Sequence, residues 1–215
     1  MSHLKSDGAP ILSLQYVLDS LSQFPQFWNT MRWLLEAGYV GEYAAIATAL
    51  APTHDATRRF LDFGCGTGAF ADRFPATQYV GVDLSLNYLR HAIRHQHGRF
   101  LASSVSALAL ADQHFDAALV LGILHHLPDH IACRAMGELY RVLRPNATVL
   151  VIEDIHPPDP WNIAGHLLHW LDRGGYIRNE QEYRTIFGAG FRIERSYAMR
   201  SGICDYGVYV LRRNE

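Results

Sequence analysis

The chain has 215 residues, of which 49% are hydrophobic and 12% aromatic, so it can bury a full core and is expected to form one domain. Its 21 acidic and 19 basic residues nearly balance, which argues against nucleic acid as a partner. No window is apolar enough to span a bilayer, and three widely spaced cysteines argue against a disulfide framework, so we expect a cytoplasmic protein with buried, reduced thiols.

Apolar residues recur at helical spacing over 11–50, after a loose leader at 1–10 and before the first predicted strand. The spacing predicts amphipathic helices at 14–21, 27–35 and 43–50. This region is rich in aromatic side chains, and two interpretations stay open: the rings cap the core, or some of them close over a ligand. We therefore expect 1–50 to form N-terminal lid helices.

From 58 to 155, short apolar runs alternate with helical patterns, which predicts a parallel sheet covered by helices on both faces. The predicted strands lie at 59–63, 78–82, 99–103, 116–121 and 147–153, and the predicted helices at 68–74, 85–97 and 130–143. Ser85 has the side chain expected of the N-cap of the second helix. Pro145 and Asn146 are expected to end the third helix and turn the chain into the fifth strand.

The pattern changes after residue 155. Prolines open an insertion, 156–179, in which helical spacing resumes over 161–171, and this insertion is expected to lie over the ligand site. A closing part, 180–215, contains a helix near 180–188 and two strands, the last at 207–212, with no helix between them. The sequence therefore predicts an α/β, Rossmann-like, doubly wound sheet of seven strands, mostly parallel with an antiparallel C-terminal strand.

The most informative motif is a glycine-rich turn after the first strand. Gly64, Gly66 and Gly68 follow Asp62, and the next strand ends in Asp83. Glycine lets the backbone approach a ligand closely, the following helix start would present N–H groups to it, and a terminal carboxylate suits ribose hydroxyls. The pattern predicts a nucleoside-cofactor site. A dinucleotide also fits this glycine spacing, although Asp62 would repel its pyrophosphate.

Four sequence blocks together resemble the class I S-adenosylmethionine-dependent methyltransferases, in particular the small-molecule type similar to ubiquinone and menaquinone biosynthesis methylases (the methyltransferase type 11 group). They occur in the family's order, at 61–68 (LDFGCGTG), 81–85 (GVDLS), 115–127 (FDAALV through LHHL) and 139–146 (LYRVLRPN). The resemblance implies S-adenosyl-L-methionine as cofactor and methyl transfer to a small-molecule acceptor by direct displacement. A non-catalytic cofactor-binding module or heteromer subunit, and an NAD(P)-dependent oxidoreductase, are the alternatives.

The resemblance also implies a set of cofactor contacts. Asp62, or the backbone after it, would hold the methionine amino group, Asp83 would take the ribose hydroxyls, and Leu84 would pack on the adenine. Where the family often has an aspartate for the adenine amino group, this chain has Ser104, whose hydroxyl accepts a hydrogen bond without charge assistance. The implied set is Asp62, Gly64, Cys65, Gly66, Gly68, Asp83, Leu84, Ser104, Val105, Leu121 and Gly122.

A hydroxyl or phenol nucleophile needs a general base in this reaction. The candidates are His125, His126, Asp154 and His156, which are predicted at the carboxyl ends of strands, where ligands of open α/β sheets bind. The histidines can instead cap a turn, and Asp154 can be a solvated strand end. Glu153 and Asp154 are neighbours on a strand, so their side chains leave opposite faces and only one is expected to face the pocket.

The acceptor is expected to be a small apolar or aromatic compound, because aromatic residues of the N-terminal helices and the insertion would enclose it. Arg173 or Arg178 could contact an anionic group, although both are expected to be solvated. His91 and His95 lie one helical turn apart without a third ligand, so no metal is expected. The choice between a monomer and a homodimer stays open.

Overall fold

The computed structural model describes residues 24–51, 57–171 and 175–215. In this part of the chain seven strands form one sheet, and their bounds are β1 (Phe60–Phe63), β2 (Tyr79–Asp83), β3 (Arg99–Ala102), β4 (Phe115–Leu121), β5 (Leu143–Asp154), β6 (Phe191–Ser201) and β7 (Cys204–Arg213). Their spatial order is β3-β2-β1-β4-β5-β7-β6. The first five strands pair in parallel, and β7 runs antiparallel to both β5 and β6. The predicted mixed sheet is confirmed.

Helices cover both faces of this sheet. The described α-helices are α1 (Pro25–Leu35), α2 (Val40–Ala49), α3 (Leu86–His95), α4 (Asp129–Val142), α5 (Ile163–Leu171) and α6 (Glu180–Phe187). The core divides into two apolar clusters, one including α4 and α6 and the other including α2. The helix predicted at 14–21 lies outside the described residues. No described helix has both the length and the apolar character needed to cross a bilayer.

Side chains at the helix starts explain where two helices begin. Ser85 accepts a hydrogen bond from the Tyr88 backbone N–H at 3.3 Å, as predicted for the N-cap of α3. Asn179 and Glu182 form a reciprocal capping box at the start of α6, each side chain accepting from the other's backbone N–H. These local contacts fix the two helix starts next to the strands that precede or follow them.

The helix predicted at 68–74 does not form. This segment contains turns and one 3₁₀ helix, Ala71–Arg73, because its two ends cannot be helical. Gly68 has a left-handed φ of +70°, and Phe74, which precedes Pro75, is extended as pre-proline residues prefer. The glycine turn is therefore followed by tight turns, and the expectation that a helix start presents its N–H groups to the ligand is wrong.

The C-terminal half of the sheet is longer than predicted. β5 already begins at Leu143, with Asn146 at a φ of +62° inside it, and its pairing with β4 shifts register between Phe115 and Ala117. β6 and β7 form one long hairpin whose turn contains Gly202 at a φ of +60°. The turn lies against the end of α1, where the Ile203 N–H donates to the Leu35 carbonyl at 3.0 Å. The hairpin thereby attaches α1 to the sheet.

Candidate active site

A cavity of about 490 Å³ opens at the carboxyl ends of β1, β2, β4 and β5. Its walls come from the glycine turn, the turn after β4, the end of β5, α1 and the β6–β7 hairpin. Apolar side chains in these walls are Met31, Leu35, Ala69, Phe70, Leu121, Ile123, Ile155, Pro157 and Cys204. Charged and titratable groups face the same space, so the cavity joins a polar side to a mainly apolar one.

The glycine turn needs its first glycine for two reasons. Gly64 has a φ of +85°, and a Cβ placed there would lie 2.2 Å from Cδ1 of Ile123. The backbone N–H groups of Gly64 and Cys65 both donate to the Val82 carbonyl at 2.9 Å, which ties the turn to β2. By contrast, a Cβ at Gly66 would meet nothing closer than the Tyr88 ring at 4.0 Å, because Gly66 faces the cavity. The turn leaves space for a ligand lying on its backbone.

Asp83 links the glycine turn after β1 to the residues that follow β2. One carboxylate oxygen accepts from the Gly66 N–H at 2.8 Å, and the other accepts from the Ser85 N–H at 2.7 Å. The side chain is half-buried and lines the cavity, and a carboxylate has room for about four hydrogen bonds. Asp83 can therefore hold the glycine turn and still accept from hydroxyl groups of a ligand.

Asp62 lies at the floor of the cavity and is nearly inaccessible to solvent. The Tyr79 hydroxyl donates to it at 2.6 Å. Burial raises the pKa of Asp62 to about 7, an effect that the Tyr79 hydrogen bond opposes and the nearby charge of Asp83 reinforces. A cation placed beside Asp62 would stabilise its charged form, so this carboxyl group is suited to an ammonium group.

The turn after β4 is built around one buried carboxylate that the sequence interpretation did not select. Glu153 is fully buried, and its Oε1 accepts from the backbone N–H groups of Ile123 and Leu124 at 2.9 and 2.7 Å. Its Oε2 accepts from the His125 N–H at 3.2 Å and lies 2.8 Å from His125 Nδ1. Glu153 thereby holds the 3₁₀ helix Leu124–His126 in place.

Three of the four predicted base candidates, His125, His126 and Asp154, come together at this turn and line the cavity, whereas His156 lines a separate pocket instead. His125 is buried, and its Nε2 lies 3.3 Å from Oδ2 of Asp154. The ring of His126 is exposed and lies 4.0 Å, centroid to centroid, from that of His125. As predicted for neighbours on a strand, Asp154 faces the cavity and Glu153 does not. Both nevertheless reach the same imidazole, one at each ring nitrogen.

Arg178 is neither solvated nor directed at the cavity, so the prediction of a solvated or anion-contacting arginine is wrong for this residue. Its guanidinium is buried, pairs with Asp129 at 2.7 Å, and donates to the carbonyls of Leu124 and Leu127 at 2.7 and 2.6 Å. Arg178 therefore stabilises the turn that carries His125 through its carbonyl groups, whereas Glu153 holds its N–H groups. Arg173 lies outside the described residues.

The wall on the far side of the cavity is made by α1 and the β6–β7 hairpin. Arg32 on α1 and Glu36, the residue that caps its C-terminal end, line this wall and form an ion pair at 2.6 Å, and Tyr206 faces them from β7. Behind this wall, the Ser201 hydroxyl lies 2.6 Å from a carboxylate oxygen of Glu42 and 2.9 Å from the Glu36 carbonyl. Burial, reinforced by the charge of Glu36, raises the pKa of Glu42 to about 8.

Of the two roles predicted for the aromatic residues, the described part of the N-terminal helices shows packing on the core, and neither Phe27 nor Trp33 lines the cavity. Tyr39 is buried and packs edge-on against Phe70, which caps the core, whereas Phe27 and Trp33 are exposed. In the insertion, Trp161 is 85% exposed. Among the residues of the insertion that the structure describes, only Pro157 and Gly165 line the cavity. The side chains of His169 and Trp170 lie outside the described part.

Several residues implied by the resemblance do not line the cavity. Leu84 is exposed, Val105 is packed in the core, and the Ser104 hydroxyl hydrogen-bonds to that of Ser106 at 3.0 Å. Gly68 is buried below the turn. Those that do line it are Asp62, Gly64, Cys65, Gly66, Asp83, Leu121 and Gly122.

The three thiols differ in their exposure to solvent. Cys65 and Cys204 are buried, but Cys133 is exposed, so the expectation that all three thiols are buried is wrong. Burial raises the pKa of Cys204 to about 12, which keeps this thiol protonated. Within 24–51, 57–171 and 175–215, no three His, Cys, Asp or Glu residues are grouped as metal ligands.

Comparison with known proteins agrees with this geometry. The family model described as a methyltransferase domain matches residues 61–151. The chain is 32% identical to the demethylmenaquinone methyltransferase of Roseiflexus sp. (strain RS-1) over 75% of this chain and 69% of that one. It is 34% identical to the ubiquinone/menaquinone biosynthesis C-methyltransferase UbiE of Syntrophotalea carbinolica over 78% of this chain and 71% of that one.

A solved structure shares the fold at low sequence identity. It is the N-methyltransferase NodS of Bradyrhizobium japonicum in complex with S-adenosyl-l-homocysteine, with a TM-score of 0.63, 15% identity, and coverage of 83% of this chain and 88% of that one. The chain belongs to the class I S-adenosylmethionine-dependent methyltransferases of the ubiquinone and menaquinone type. It is an enzyme whose cofactor is S-adenosylmethionine.

Proposed function

We propose that this methyltransferase transfers a methyl group to a ring carbon of a reduced quinone, by direct displacement at the methyl carbon. One observation carries the proposal: Asp62, Asp83, His125 and Asp154 line one cavity whose remaining wall is largely apolar. The acceptor class is supported by the names of the two quinone-pathway relatives, one of which is called a C-methyltransferase.

The residues of the glycine turn fit the cofactor. S-adenosylmethionine supplies an electrophilic methyl group on a sulfonium. Asp83 accepts from the ribose hydroxyls, Asp62 pairs with the ammonium group of the methionine part, and Gly64 and Gly66 let the backbone lie against it. Gly122 offers its backbone on the other side of the crevice.

The reduced form of the acceptor follows from the electronics of the reaction. A quinone ring is electron-poor, whereas loss of a hydroxyl proton from the hydroquinone leaves an electron pair that extends to the ring carbon. That carbon forms the new bond to the methyl group as the sulfur–carbon bond breaks. The electron pair of the broken bond stays on sulfur. The ring carbon then loses its own proton, which leaves to solvent as the one proton released per turnover, and the first proton returns to the oxygen to restore the hydroxyl group.

The protein has two tasks in this reaction. Asp154, in contact with His125, takes the hydroxyl proton at the cavity surface. The apolar walls orient the ring towards the methyl group and keep water out of the displacement, which is work of positioning and desolvation. The predictions of a single domain, a cytoplasmic location, no nucleic-acid partner, and a monomer or homodimer stay predictions.

Two measurements test the proposal together. Calorimetry with S-adenosylmethionine and its demethylated product tests the binding site, and incubation with a panel of reduced benzoquinones and naphthoquinones tests the acceptor by a mass gain of one methylene. We expect binding of both nucleosides and methylation of reduced, but not oxidised, ring compounds. Binding without transfer to any reduced quinone would contradict the proposed acceptor class.

A further inference from the structure

We propose that Glu153 is a positioning residue for methyl transfer, which holds the His125 imidazole in its charged form against Asp154. The inference rests on the proposed function, because it concerns the base in that reaction. It concerns a residue buried behind the cavity, which nothing in the sequence pattern had selected.

The hydrogen-bond partners of Glu153 are those of a carboxylate. Its two oxygens face three backbone N–H groups and His125 Nδ1, at distances of 2.7 to 3.2 Å. Three N–H donors directed at its two oxygens stabilise the charged carboxylate, because a charged acceptor forms stronger hydrogen bonds than a protonated one. The fourth contact therefore has Nδ1 as the donor, which fixes where His125 carries its first proton.

The second ring nitrogen defines the charge of the ring. With its proton on Nδ1, a neutral imidazole presents only a lone pair at Nε2, and Asp154 Oδ2 lies 3.3 Å away. Two lone pairs facing each other repel, so one proton lies between Nε2 and Oδ2. Because Glu153 and Asp154 flank the ring on both sides, the charged imidazolium is the form that their carboxylates stabilise. Asp154 then keeps its negative charge towards the cavity.

Other charged and titratable groups surround this arrangement. His126 lies ring against ring with His125, and the Tyr183 hydroxyl on α6 donates to the Asp154 carbonyl at 3.2 Å. Arg178 donates to the Leu124 carbonyl and contributes a positive charge at the same turn. A charge on Glu153 offsets the charge of the Arg178 guanidinium, which would otherwise oppose protonation of His125.

The consequence for the reaction is a base of defined orientation. The acceptor hydroxyl proton moves to Asp154, and the electron pair of the broken O–H bond stays on the acceptor. Glu153 touches neither the acceptor nor the cofactor, so it acts through His125 alone. Its removal should lower the rate of the chemical step while leaving cofactor affinity intact.

The test compares Glu153→Gln with Glu153→Asp and a matched control. Glu138→Gln is the control because Glu138 also accepts from a backbone N–H, that of Leu108 at 2.7 Å, and pairs with Arg141, away from the cavity. For Glu153→Gln we expect kcat to fall roughly 10²-fold or more and its pH profile to change, while the affinity for S-adenosylmethionine changes less than about twofold. Glu153→Asp should recover part of the lost kcat. The control should keep the wild-type kcat and pH profile.

A second readout needs no acceptor. Nitrogen-15 NMR of His125 in the full chain should show a charged ring at neutral pH in the wild type, and loss of its proton at lower pH in Glu153→Gln. A neutral ring in the wild type, or an unchanged titration in the variant, would overturn the proposal even if Glu153→Gln proved too unstable for kinetics. Failure to methylate reduced quinones would instead count against the proposed function and leave the NMR result standing.

Discussion

The two sides of the cavity are built in different ways. Apart from Leu121 and Gly122, the cofactor side comes from one stretch of chain, from β1 through the glycine turn to the end of β2. Its polar groups are satisfied mainly by backbone hydrogen bonds such as those at Asp83. The acceptor side is assembled from α1, the ends of β4 and β5, and the β6–β7 hairpin. It relies on buried carboxylates, namely Glu36, Glu42 and Glu153.

The comparison teaches that binding and chemistry respond to different perturbations. A side made of backbone geometry depends on glycine and on a few fixed acceptors, whereas a side made of buried charges depends on their protonation. Substitutions on the cofactor side should therefore change affinity, and pH should act strongly on the acceptor side. The following predictions test that division, starting with the largest effect.

Replacing Asp83 should produce the largest loss. Asp83→Ala removes the acceptor for the ribose hydroxyls and releases the Gly66 and Ser85 N–H groups. We expect S-adenosylmethionine affinity to fall about 100-fold in calorimetry, since hydrogen bonds to charged groups contribute about 1.5–3 kcal/mol each. Asp112→Ala, which removes an exposed partner of Arg141, is the control and should bind normally. Unchanged affinity in Asp83→Ala would show that Asp83 does not bind the ribose hydroxyls.

The Glu42 site should make the fold less stable as pH rises. The pKa of Glu42 is raised to about 8, so between its ordinary value near 4.5 and 8 the folded chain binds more protons than the unfolded chain. Stability present at low pH is then lost as pH rises through this window. Glu42→Gln should flatten the dependence and gain on the order of a few kcal/mol relative to wild type at high pH.

Urea unfolding at several pH values measures this effect. Protonated Glu42 can donate to Ser201, which then donates to the Glu36 carbonyl, and glutamine can make the same donation without a charge. Equal slopes of stability against pH in wild type and variant would mean that Glu42 does not hold its proton in the folded chain.

Asp62 should make cofactor binding depend on pH even on the cofactor side. Its pKa is about 7, so raising the pH from 6 to about 7.5 ionises it, and affinity for the ammonium-bearing cofactor should rise several-fold. Tyr79→Phe removes the hydroxyl that lowers this pKa and should move the rise to higher pH. Calorimetry across this range tests both statements, and Asp62→Asn should abolish the dependence. A flat profile in the wild type would exclude pairing of Asp62 with the ammonium group.

The smallest expected effect is at the helix starts. Ser85→Ala should lower the free energy of unfolding by about 1 kcal/mol, because the Tyr88 N–H loses its capping partner. Asn179→Ala at the start of α6 is the matched variant on the other half of the sheet and should cost a similar amount. Cofactor affinity should stay within about twofold of wild type in both. A larger change in affinity for Ser85→Ala would show that the cofactor side depends on this side chain as well as on its backbone.

The features predictable from sequence were those that depend on neighbouring residues. The glycine turn, Asp83 and the Ser85 N-cap are local patterns, and the gathering of His125, His126 and Asp154 follows from a general rule about the ends of parallel strands. The antiparallel end of the sheet also follows from two strands without an intervening helix.

The features that were missed depend on distant parts of the chain. Glu153 looked like one of two strand-end acids, and its role arises only because three N–H groups of the turn after β4 lie beside β5. Arg178 is buried because carbonyls of that same turn reach it. The absent helix after the glycine turn had a local sign, Pro75 after Phe74, which the apolar spacing concealed.

The late position of β7 in the order of the strands along the chain has a consequence for how the enzyme matures. Tyr206 enters the cavity from the last strand of the sheet, whereas Asp62, Asp83 and His125 come from its first four strands and the turn that follows them. A nascent chain emerging from the ribosome N-terminus first can assemble the nucleotide crevice while one side of the pocket is still untranslated. Catalytic competence should thus appear late in synthesis, and messages cut short before the hairpin should yield inactive protein.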